Sequence, residues 1–140
     1  MSIKSIALHF GRTALLLLLT SAGWSATPLF QKAQTYNLGV PALSITAADV
    51  NGDGKLDLLV ADGGSTLGVS MGKGDGTFPP AQSYNAGGWK SYAIVAEDVN
   101  GDGHLDLVVT SSCVSSTDCD HGVVAVLLGN GDGTFRAAKS

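Results

Sequence analysis

The sequence has 140 residues, 44% of them apolar and 14% charged, with nineteen glycines, two cysteines and a net charge of −4. That length allows at most one ordinary domain. The acidic balance disfavours nucleic acid and anionic membrane surfaces, which call for a positive protein surface, and makes a cation the more natural partner.

The first segment is read as a leader. Lys4 and Arg12 precede an apolar run over 13–22 that contains five consecutive leucines, Leu15 to Leu19, and small residues follow at Ser21, Ala22, Gly23, Ser25 and Ala26. Charge, apolar run and small residues in that order are the signature of a secretory signal peptide. A spanning helix needs about 20 apolar residues, roughly twice this run. Residues 1–26 are therefore expected to form a signal helix, removed after Ala22, Ser25 or Ala26, which directs the chain to the periplasm, the cell surface or the medium. Removal takes Lys4 and Arg12 and no acidic residue, so the net charge of the remainder becomes −6.

Residues 27–140 are self-similar. Phe30–Gly39 aligns with Phe78–Gly87 at an offset of 48, Asp49–Asp57 with Asp98–Asp106 at 49, and Gly74–Phe78 with Gly131–Phe135 at 57. Two units result, over about 30–77 and 78–134, and Phe135–Ser140 begins a third, the pattern of a truncated array. Within each unit the sequence predicts short strands: Ser44–Val50 and Tyr92–Val99 first, Leu56–Ala61 and Leu105–Thr110 second, Leu67–Met71 and Val123–Leu128 third. The run Thr77–Tyr84 is expected to be a fourth. Glycine and Asn-Gly connections suit tight hairpins, and the β-branched runs argue against helix. Four strands in about 50 residues is the arithmetic of a β-propeller blade, so the fold expected is all-β, two four-stranded antiparallel blades of an incomplete propeller. Propellers close with about four to eight blades. Two alone would expose an apolar face, and the chain is expected to associate with itself, to need further repeats, or to be covered by something else.

The repeated polar loops carry the chemistry. Asp49, Asn51, Asp53 and Asp57 recur as Asp98, Asn100, Asp102 and Asp106, with Gly54 and Gly103 at the sixth position. Side-chain oxygens at positions one, three, five and nine of a tight loop suit Ca²⁺, which takes oxygen ligands. The backbone carbonyls of Lys55 and His104 can add one more ligand each. Magnesium demands a stricter octahedron, and zinc would call for Cys or His ligands. Three carboxylates in one small loop repel unless a cation joins them. An EF-hand opens alike but ends in Glu at position twelve, where this chain has Val60 and Val109. The plainer alternative is a polar turn. Asp75 and Asp132 lack a neighbouring second carboxylate and read as hairpin turns. The second unit also carries eight extra residues around Cys113 and Cys119. In an exported chain such a pair reads as a disulfide, with two free thiols or half a zinc site as alternatives.

Asp-Val-Asn-Gly-Asp-Gly-x-Leu-Asp followed by a Val-rich strand, closed by Gly-x-Gly-Asp-Gly-Thr-Phe, resembles the FG-GAP/VCBS repeat family, which includes the blades of the integrin α-chain propeller. The resemblance runs over about residues 30–140. It implies a seven-bladed propeller in complete members, with calcium held in the loop between the first two strands of a blade. Here that places it on the eight side chains named above. The chain departs in having two units and in the cysteine insert.

Nothing in the sequence predicts an enzyme. Glu97 alternates with Asp98 along a strand, and His121 sits in a solvated loop with Asp118 and Asp120. A glycosidase needs two separated carboxylates, and a serine nucleophile needs its elbow; neither context is present. Two functions remain: an adhesion or binding module for extracellular protein or carbohydrate, or a structural repeat fragment with no ligand beyond calcium. A further, remoter reading is a non-catalytic part of a glycan-active enzyme. Trp89 and Tyr92 are the aromatics on which a sugar could stack.

Overall fold

The computed structural model describes residues 33–140; the expected signal helix lies outside the described residues. Among the described residues every regular element is a strand: β1 (Ser44–Ala48), β2 (Asp57–Ala61), β3 (Thr66–Ser70), β4 (Gln82–Asn85), β5 (Trp89–Glu97), β6 (Asp106–Cys113) and β7 (Val123–Leu127). They form two antiparallel sheets, β1-β2-β3-β4 and β5-β6-β7, as expected of partial propeller blades. The second sheet gains the beginning of a fourth member where Lys139 bridges Val126. Gln82 holds the same place against Val69 in the first sheet, so the sheets repeat with the sequence.

Each sheet is built from alternation. Cross-strand partners share a face, and Thr46, Leu59 and Val69 form one row across the first sheet. Ile94, Val109 and Ala125 form a row across the second. These two faces meet. Leu59, Ala61, Leu67 and Val69 join Ile94, Leu107, Val109 and Leu127 in one core, each 3% exposed or less. The Thr46 hydroxyl donates to the Ile94 carbonyl at 2.9 Å across the joint. Tyr84 from β4 stands edge-on to Phe135, ring centroids 5.6 Å apart, and Tyr36 stands in the same way on Phe78. The aromatic pair is thus part of the repeat.

Two expectations are corrected. The fourth strand is Gln82–Asn85, shorter and later than Thr77–Tyr84. Pro79 and Pro80 have no N–H to give a ladder, so pairing begins only beyond them. In the second unit the first hairpin is longer than expected, with β5 starting at Trp89 and β6 ending at Cys113. Its register slips between Ser91 and Ala93, beside Lys90 at φ 58°, a left-handed value that non-glycine residues seldom adopt.

Candidate functional site

The first aspartate loop links β1 to β2. Asp49 Oδ1 accepts the N–H of Gly52 at 2.8 Å and of Asp53 at 3.1 Å, while Oδ2 accepts that of Gly54 at 2.8 Å. Asn51 Oδ1 takes the Asp53 N–H at 3.1 Å, and Asp53 Oδ1 takes the Lys55 N–H at 3.0 Å. The second loop, between β5 and β6, repeats every one of these bonds. Asp98 accepts from Gly101, Asp102 and Gly103 at 2.7, 3.2 and 2.9 Å, Asn100 from Asp102 at 2.8 Å, and Asp102 from His104 at 2.9 Å. The tight coil needs the sixth residue at φ +80° in the first loop and +85° in the second, and both are glycine.

The ninth position differs in kind. Asp57 and Asp106 are fully buried. Asp57 receives the N–H of Val50 at 3.0 Å and of Gly72 at 2.8 Å, tying the loop to the end of the third strand. Asp106 does the same with Val99 at 3.1 Å and Gly129 at 2.8 Å. The structure therefore sorts the four side chains that the sequence groups together. Three sit in the solvent-facing loop, and the fourth is a floor beneath it. As these side chains stand, no group of three or more His, Cys, Asp or Glu residues among those described is gathered tightly enough to hold an ion.

Two further differences separate the loops. Lys55 Nζ lies 3.0 Å from Asp53 Oδ2, so the first loop carries its own counter-charge. That hydrogen bond, followed by the Lys55 backbone N–H, holds the Asp53 carboxyl below the usual range. In the second loop Asn100 Nδ2 donates to Asp102 Oδ2 at 3.0 Å and no lysine intervenes. The Gly103 N–H, then those of its neighbours, draws the Asp98 carboxyl down.

The donor set fits calcium in its chemistry. All its members are hard oxygens, and an oxygen that accepts one N–H keeps a second lone pair. The fully buried Asp57 and Asp106 have no basic partner: the ion pairs among the described residues are Lys55–Asp53 and His121–Asp118. A buried carboxylate without a counter-charge is costly, and a cation in the loop above would offset that cost.

Below the loops, the closing motif has a steric meaning that the sequence pattern does not disclose. A Cβ on Gly72 would lie 2.0 Å from the Leu56 carbonyl oxygen, and one on Gly129 would lie 2.2 Å from that of Leu105. Only glycine lets the chain pass there while offering its N–H to the buried aspartate. Asp75 and Asp132 are turn residues, as expected. Each accepts the N–H of the threonine two residues on at 2.9 Å and its hydroxyl at 2.5 Å, and the threonine holds each carboxyl below the usual range.

Cys113 and Cys119 form a disulfide. The loop it closes stands over Trp89, which pairs with Cys113. Trp89, Ser65 and Asn85 border a cleft of about 300 Å³ whose other wall is Val114, Ser115 and Ser116 of that loop. Trp89 is 37% exposed and Tyr92 51%, so neither ring belongs to the core. His121 Nδ1 lies 3.7 Å from Asp118 on the surface, and Glu97 is exposed at the end of β5. The Trp89 cleft could not be located from sequence, because its walls come from the β2–β3 connection, the end of β4 with the turn into β5, and the cysteine insert. The eight-residue insert and the stacking candidate Trp89 were its visible signs.

No curated protein and no solved structure matches the chain. A family model described as an FG-GAP-like repeat matches residues 49–109, from the first residue of the first aspartate loop to the middle of β6, and so spans both loops.

Proposed function

We propose that the chain is an exported, non-catalytic repeat module of the β-propeller type whose aspartate loops bind calcium and so fix the blades. The observation that carries this reading is the pair of fully buried carboxylates, Asp57 and Asp106, lying without a basic partner under loops of oxygen donors. Asp49, Asn51, Asp53 and the Lys55 carbonyl would hold the ion above Asp57; Asp98, Asn100, Asp102 and the His104 carbonyl would hold it above Asp106. The bound ion would supply only charge neutralisation and rigidity. The N-terminal segment 1–26 would bring the protein to a compartment where calcium is plentiful and a disulfide persists.

Thermal unfolding in millimolar calcium and in chelator tests the metal. A melting point raised by calcium, and insensitive to it in the double variant Asp53→Ala, Asp102→Ala, is expected. A wild-type transition indifferent to calcium would leave the loops as polar turns. N-terminal sequencing of the exported protein tests the leader, with a first residue between 23 and 27 expected from the sites named above.

A second reading concerns what the module contacts. The half-exposed Trp89 beside Ser65, Asn85 and Ser115 has the composition of a neutral saccharide site, a ring to stack on and hydroxyl and amide groups around it. Glycan-array binding that Trp89→Ala abolishes would support it. No binding to any glycan would leave the structural-module reading alone.

A further inference from the structure

The joint between the two sheets is a template for a second joint. In the first sheet the row Thr46–Leu59–Val69 faces the second sheet, with Leu59 and Val69 at most 2% exposed. The sequence repeat carries that row onto Val95, Val108 and Val126 (offsets 49, 49 and 57), and these three are themselves cross-strand partners. They lie on the far side of the second sheet, where Val95 is 54% exposed and its neighbour Val124 58%. The second sheet thus presents the counterpart of that row, all valine, with Val95 and Val124 exposed and Val108 and Val126 half-buried.

The complementary half is present at the other end. In the observed joint the first sheet is met by the row Ile94–Val109–Ala125. Its repeat counterpart is Ile45–Val60–Gly68, a cross-strand row on the outer side of the first sheet. Ile94 is 3% exposed in the joint, whereas Ile45 is 56% exposed; Val60 is already fully buried and Gly68 lies under Val40 and Ala81, so Ile45 on β1 is the part of this row that stands open. That outer side already has its connecting segment. Tyr36 stands on Phe78 as Tyr84 stands on Phe135. The opening left for a partner is therefore at β1, and the face of matching pattern is carried by the chain itself.

We propose that the protein joins head to tail with further copies of itself, the Val95–Val108–Val126 face of one copy seating on the exposed Ile45 of β1 in the next. The reading of the sheets as propeller blades is its one premise, and calcium is not. A contact between two different faces of one molecule repeats until its rotation closes a ring. Propellers hold about four to eight blades, and with the two sheets of the described residues in each copy that corresponds to two to four copies.

Sedimentation velocity on the full chain, with millimolar calcium throughout, tests this. Wild type is expected as an assembly of two to four copies, while Ile45→Lys and Val95→Asp are each monomeric with an unchanged β-sheet circular dichroism. Mixed in equal amounts the two variants should give a one-to-one dimer and nothing larger, because each retains the half that the other has lost. Three results would overturn the proposal. Wild type could be monomeric at tens of micromolar. The assembly could persist in both variants, as it would if the leucine-rich N-terminal segment held it. The mixture could stay monomeric, which would mean that the two faces do not meet each other. If Val95→Asp does not fold, Val124→Asp on the same face replaces it. An intact assembly in folded Val124→Asp would likewise refute the contact.

Discussion

Replacing Asp57 by alanine separates the two roles that a carboxylate can play in this fold. The side chain is fully buried and receives the N–H groups of Val50 at 3.0 Å and Gly72 at 2.8 Å. Alanine leaves both donors buried and unpaired, at about 1–3 kcal/mol each. Removing the carboxylate also relieves its own desolvation, so the net loss is expected to be about 3 kcal/mol. Asparagine keeps one acceptor and should lose about 1–2 kcal/mol. Urea unfolding in chelator measures this free of any metal effect. With an m-value of about 1.5 kcal/mol per molar, the alanine midpoint should fall by about 2 M. Asp106→Ala should cost the same, since its bonds to Val99 and Gly129 are equivalent. Asp53→Ala, in the exposed loop, should be nearly silent in chelator and matter only with calcium. A loss below about 1 kcal/mol for Asp57→Ala in chelator would refute the reading of its bonds to Val50 and Gly72 as a structural floor.

Gly72→Ala and Gly129→Ala should each cost more than about 3 kcal/mol or prevent folding, because the new Cβ meets a backbone carbonyl that cannot move aside. Gly52→Ala, with open space but φ +72°, should cost only about 1–2 kcal/mol, and soluble yield with urea midpoints ranks the three. Asp75, Asp98 and Asp132 have carboxyls held below the ordinary value of 3.8, so the stability they contribute is fully present above that pH and is lost as pH falls through their folded values. Acid unfolding should therefore steepen below about pH 4. Thr77→Val should raise the Asp75 carboxyl, read by NMR titration; an unchanged value would remove the threonine hydroxyl as the cause. Reducing the Cys113–Cys119 bridge, which closes a seven-residue loop, should cost about 2 kcal/mol and weaken any ligand at the Trp89 cleft. Of the two loops, the second should bind calcium more tightly, since Asp53 must first give up Lys55. Calorimetric titration of Asp53→Ala against Asp102→Ala decides it, and equal affinities would dismiss the lysine as a brake.

Much of the fold was legible because it depends on local patterning repeated. The mostly apolar runs Leu56–Ala61 and Leu105–Thr110 placed β2 and β6, and two copies of Asp-Val-Asn-Gly-Asp-Gly placed the loops between strands. The fourth strand was set too early because its apolar and aromatic pattern outweighed the two missing N–H groups of Pro79 and Pro80. The cysteine pair was legible from parity and from the expected export.

The sequence by itself determined which residues recur, and therefore the blade type, the turn glycines and the oxygen-rich loops. Each of these rests on contacts within a few residues of chain or on a spacing that repeats. Only the tertiary structure decided that Asp57 and Asp106 lie beneath their loops rather than in them. Their partners, Gly72 and Gly129, are 15 and 23 residues away. Only the stacked sheets distinguish the covered row Thr46–Leu59–Val69 from its open counterpart Val95–Val108–Val126. Burial is a property of what packs on a face, and two rows of like composition share a sequence signature while only one has found a partner.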